Sequence, residues 1–140
     1  MKANIVNIGK FNSRQFIDAA ISLESLFNEA ASDISYKICM RTALLLGFLG
    51  QNRVEVFEAM REIYNIRNDI VHGIAEETPT LNHTTKLLGY AKKSLECCCY
   101  IISGNRKDQG KKHFKRKLLK EIDHALLDHD KRNQINEEIN

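Results

Sequence analysis

Arg67, Asn68 and His72 have the types and spacing that suit chemistry on a phosphate. An arginine carries a fixed charge and a planar fork of donors that matches phosphate oxygens. A histidine moves protons near neutral pH. Five residues on a helix span about 7 Å, so Arg67 and His72 are near enough to grip one phosphodiester if the fold aims them together. Asn68 lies four residues before His72 and is its neighbour on a helical surface.

On a wheel of about 100° per residue, Val56, Met60, Ile63, Tyr64, Ile70 and Val71 share one apolar arc, and Arg67 falls near its middle. Glu58, Glu62, Asn65 and Asp69 lie on the other side. A guanidinium is costly to bury unpaired, so its place needs a reason. Three roles fit: an internal ion pair, for example with Glu24; a contact with a partner subunit; or a cleft that binds an anion. His72 stands in the last turn, just before Gly73, where loose carbonyls and the helix dipole favour a cation.

The elements that must position these residues read as helices. The first is expected over about 13–31, with Ser13 as N-cap and Phe16, Ala19, Ala20, Leu23, Leu26 and Phe27 at helical spacing. A short strand signal, "NIVNIG", precedes it at 4–9. The second is expected from an Asp33 cap to Gly47 or Gly50. The third runs from Asn52, with Glu55 three residues on as in a capping box, to Gly73 as the C′ glycine. The fourth opens at Thr78–Pro79, cap and then proline, and runs to Gly104. A polar loop follows, then a fifth helix over about 111–130, with the tail "RNQINEEIN" frayed. Short connections favour antiparallel neighbours. The expected fold is all-α: an up-and-down four-helix bundle over about 13–104 with an additional C-terminal helix, making one domain of 1–140.

The chain has 140 residues, 43% apolar and 28% charged, as an ordinary globular protein does. No secretory signal is expected, and "ALLLGFLG" at 43–50 is too short to span a bilayer. Cys39 and the run Cys97–Cys98–Cys99 form no CxxC pair, and three adjacent cysteines fan out around a helix, so neither a metal site nor a cofactor is expected. They read as small buried residues in a reducing compartment, and the location as cytoplasmic. His83, His113, His124 and His129 have no zinc-binding spacing and read as surface residues. The net charge is only +3, but "RKDQGKKHFKRKLLK" at 106–120 gathers eight bases against Asp108. Lys112, Lys115 and Arg116 there suit an RNA backbone, or else form a solvated helix face. Lys37 and Arg41, four apart on the second helix, either extend that surface or serve structure, Arg41 by pairing with Glu24.

The stretch "RNDIVH" resembles the HEPN signature, an arginine followed at four to six residues by a histidine. Leu23–Glu24, Ser35–Tyr36–Lys37, Arg41, Leu45–Leu46–Gly47 and Tyr64 through Gly73 are similar to the Apea-like branch of that superfamily, and "AKKSLECCCYIIS" fits its last bundle helix. The resemblance covers about 15–103. It implies a four-helix bundle that dimerises through its motif-bearing face, acting as a metal-independent endoribonuclease, toxin or effector of antiviral defence. In that scheme His72 serves as base or acid, Arg67 stabilises the phosphate, Asn68 orients the imidazole or the phosphate, Tyr64 packs, positions Arg67 or stacks on a base, and Lys37 extends the surface for RNA. A silent RNA- or protein-binding module is the alternative, and an antitoxin or a larger defence-system protein is the implied partner. Two departures stand out. Ile74 replaces the tyrosine that some paired toxins carry two residues after the histidine, and only a dozen residues precede the expected first helix.

Overall fold

The computed structural model describes residues 2–28, 33–74, 78–104 and 114–140. All regular elements among them are helices: α1 (Lys2–Phe27), α2 (Ile34–Phe48), α3 (Arg53–His72), α4 (Leu81–Gly104), α5 (Phe114–Leu127) and α6 (His129–Ile139). They pack as a helical bundle extended by C-terminal helices. No described helix is long and apolar enough to cross a membrane.

α2 is the central element. Its residues Arg41 to Leu46 are all buried, and it packs against α1, α3, α4 and α5. The run Ala43–Leu46 is apolar on every side and belongs inside, and this part of α2 is surrounded accordingly. Phe16, Leu23 and Phe27 from α1, Met60 and Ile63 from α3, and Leu87 and Ile101 from α4 complete a core in which these side chains are at most 1% exposed. Each contributes about 1.5–3 kcal/mol by leaving water.

The ends of α3 follow the expected chemistry. The Asn52 side chain accepts from the amides of Val54 and Glu55, at 3.0 and 3.3 Å, and donates to the Glu55 carboxylate at 3.2 Å. At the other end Gly73 adopts φ 67°, and the amides of Gly73 and Ile74 return to the carbonyls of Ile70 and Asp69. This paired closure fixes where His72 leaves the helix.

Other boundaries differ. α1 begins at Lys2, so the expected strand at 4–9 is helical, Ser13 lies inside the helix, and residues 2–12 belong to it. Helical propagation from a well-packed C-terminal half outweighs the weak β preference of Ile5, Val6 and Ile8. α1 ends at Phe27; the expected continuation over 29–31 lies outside the described residues. Asp33 precedes α2 but sits at φ 56°, and its side chain makes no cap bond. The cap of α4 is Thr80 rather than Thr78: the His83 amide donates to Thr80 Oγ1, and the Thr80 amide donates to His83 Nδ1, both at 3.2 Å. His83 is therefore a capping residue, and it also pairs with Glu62 at 3.2 Å. The expected fifth helix ends at Leu127. Asp128 then caps a separate α6, so the tail is helical and buries Ile135 on the bundle. Lys111, Lys112 and His113 lie outside the described residues. Of the cysteines, Cys39, Cys97 and Cys98 are buried, with burial pushing Cys98 up to about 12, whereas Cys99 is exposed.

Candidate active site

The last two turns of α3 and the end of α1 build one polar cluster. Arg67 Nη2 meets Glu24 Oε1 at 2.9 Å and Oε2 at 3.1 Å, so one nitrogen spans both carboxylate oxygens. Arg67 Nη1 donates to Asn68 Oδ1 at 3.3 Å. The side chains of Arg67 and Glu24 are 23% and 21% exposed, deep enough for a fixed pair and shallow enough for one edge to reach the surface. Arg67 Nε is buried with no partner. An arginine has five donors, so Glu24 and Asn68 leave part of the fork unspent.

Tyr64 lies one turn before Arg67 and is 2% exposed, its hydroxyl buried and unpartnered. Burial, and beside it the Glu24 carboxylate, push the phenol far above its ordinary value, with Arg67 opposing them. Tyr64 is therefore a neutral packing residue that keeps an unspent hydrogen bond. A ring so deeply buried has no face for a base, so packing is the one of its expected roles that this placement fits. His72 is exposed at the end of α3 and has no hydrogen bond among the described residues. Asn68 Oδ1 faces Arg67, and among the described residues no hydrogen bond joins Asn68 to His72.

The remaining candidates divide. Lys37 is exposed on α2. Lys115 Nζ donates to the Ser25 carbonyl at 2.6 Å, one residue from Glu24. The basic start of α5 thus stands at the same end of α1 as the Arg67 cluster. Arg116 is exposed on that helix, and Lys112 lies outside the described residues. Arg41 is structural, with a different partner from the one expected. Its Nε and Nη2 form a fork on Asp123 at 2.8 and 2.7 Å, and Nη1 donates to the Phe27 carbonyl. Asp123 is 82 residues away in sequence, and only the buried position of Arg41 signalled that a counter-ion must exist. Among the described residues, no group of three or more His, Cys, Asp or Glu is placed to hold a metal ion.

Chemically this end of α3 offers an anchored guanidinium with spare donors and, about one and a half turns on, an exposed imidazole outside that hydrogen-bonded cluster. Compared with protein-family models, with curated proteins and with solved structures, the chain matches none.

Proposed function

We propose that this chain is a HEPN-type endoribonuclease that cuts single-stranded or loop RNA without a metal. We place it in the cytoplasm, as a homodimer through the face of α3 that bears the motif, in antiviral defence or as a toxin. The observation that carries this is an Arg67 whose side chain is 23% exposed and held at Nη2 by Glu24 and at Nη1 by Asn68, with an exposed His72 at the end of the same helix.

RNA brings its own nucleophile. His72 takes the proton of a 2′-OH, the oxygen attacks the adjacent phosphorus, and the bond to the 5′-oxygen breaks. The products are a 2′,3′-cyclic phosphate and a 5′-OH, the leaving oxygen taking its proton from an imidazolium, which in a dimer is the second His72. Charge gathers on the non-bridging oxygens as phosphorus becomes five-coordinate. The free edge of Arg67 stabilises it there, and Glu24 fixes the guanidinium plane beforehand. Asn68 adds a second hold on the same fork. Lys37, Lys115 and Arg116 supply positive charge for the RNA backbone.

A second reading rests on the same ion pair. Glu24 neutralises Arg67, as suits a silent module that binds RNA or protein and serves a larger defence system, an antitoxin or another partner.

The test is cleavage of mixed RNA in EDTA. Wild type should cut, and Arg67→Ala and His72→Ala should each slow cleavage by about 100-fold or more. Inert wild-type protein, or a variant that cuts equally well, removes the catalytic proposal. RNA binding that survives His72→Ala in an inert protein supports the silent module.

A further inference from the structure

A stripe of α3 joins the candidate site to a group of residues that the reaction does not use. On a wheel of about 100° per residue, Phe57, Arg61, Tyr64, Asn68 and His72 fall within about 80°. The fifteen residue steps from Phe57 to His72 span about 22 Å, room for a few nucleotides. Glu55, Glu58, Glu62 and Asp69 lie on average about 130° away from Phe57, off the stripe. The acids of α3 thus leave this side clear.

At the Phe57 end the stripe meets α2. The rings of Tyr36 and Phe57 pack edge to face, with centroids 5.8 Å apart and planes at 83°. The Arg61 guanidinium lies over the Phe57 ring, 5.9 Å from its centroid. Phe57 is half-buried and holds both neighbours in place, while Tyr36 remains 52% exposed. Lys37, next in the chain, is exposed, and Arg61 is exposed without an ion pair among the described residues. A surface tyrosine held against a neighbouring ring and still 52% exposed offers stacking surface at little cost in ordering. A guanidinium stacked on an aromatic ring keeps its N–H edge free for a phosphate.

We propose that Tyr36 and Arg61, braced by Phe57, form a second RNA subsite, in which Tyr36 stacks on an unpaired nucleobase and Arg61 holds the neighbouring phosphate. Stacking of this kind tolerates any base, because every base has a π face. The subsite rests on the RNA reading of Arg67 and His72 and extends it: strands that leave the cleft run along α3 toward α2. It favours single-stranded over duplex substrates, since a paired base has no free face to offer.

The probe is a fluorescent eight-nucleotide uridine oligomer with 2′-O-methyl riboses, which cannot be cut, with binding followed by anisotropy. Tyr36→Ala should weaken binding about tenfold, the lower part of the range for one stacked base. Tyr36→Phe should bind as wild type. Tyr36→Leu, which keeps apolar cover over Phe57, should lose as much as Tyr36→Ala. An oligomer with abasic positions should bind wild type and Tyr36→Ala alike. Wild-type affinity in both Tyr36→Ala and Tyr36→Leu overturns the subsite and leaves the platform to packing or a protein contact. Equal losses on intact and abasic oligomers also overturn it, because the defect is then not stacking. If binding depends on Arg67 but not on Tyr36, only the subsite fails. If wild type binds no RNA, the reading of the motif fails and the subsite with it.

Discussion

Two arginines stand on apolar arcs of this protein, and their surroundings are opposite. Arg41, on α2, is 4% exposed and saturated at each of its three nitrogens: a fork on Asp123 and the Phe27 carbonyl. Arg67, on α3, has a side chain 23% exposed, touches its carboxylate through one nitrogen and leaves Nε unpartnered. Both sequence positions look alike on a wheel. The difference lies in how completely the fork is satisfied. A saturated, buried arginine joins elements, here α2 to α5 and to the end of α1. An arginine with unspent donors at the edge of the core is suited to take a further partner.

The largest expected effect lies on the saturated side. Asp123→Ala leaves Arg41 buried against one carbonyl and should cost about 3 kcal/mol, the low end for a broken buried pair because Asp123 is half-exposed. Arg41→Met, which removes the charge rather than orphaning it, should cost clearly less. Denaturant midpoints check both, and equal costs would mean that the lost pair itself, not the stranded charge, dominates.

A smaller change is expected at the other arginine. Glu24→Gln weakens a half-buried pair and should cost about 1 kcal/mol. It should also raise affinity for RNA a few-fold by unmasking Arg67. A fall in affinity instead would mean that Glu24 matters more by aiming the guanidinium than by neutralising it.

The smallest is Tyr64→Phe. Its hydroxyl is buried without a partner, so removal should leave stability unchanged or raise it by up to about 1 kcal/mol. A loss above 1 kcal/mol in thermal unfolding would reveal a hydrogen bond that Tyr64 makes in solution.

The sequence was most readable where one helix carries its own instructions. Asn52, Glu55 and Gly73 set the limits of α3 through bonds within a few residues, and those limits hold. Glu24 could be named from the sequence as a partner for Arg67 or for Arg41, and no local pattern decided between them. Asp123 could not be, because it is contributed by α5 from far along the chain, and no local pattern connects it to Arg41. α6 was legible in part. Asp128 is a good cap, and Ile135 and Ile139 have helical spacing, yet a mean composition this polar looks like a frayed tail until Ile135 finds the bundle. The platform of Tyr36, Phe57 and Arg61 depends on α2 lying beside α3, which periodicity alone does not fix.

The contrast between the two arginines meets its most direct test in Arg67→Ala, with melting temperature and RNA affinity measured on one preparation. Glu24 keeps 21% of its side chain exposed, where water can reach it, so the melting temperature should fall by no more than about 4 °C, while RNA affinity falls tenfold or more. A drop in melting temperature as large as that of Asp123→Ala, with RNA affinity unchanged, would contradict the assignment and make Arg67 a second structural arginine.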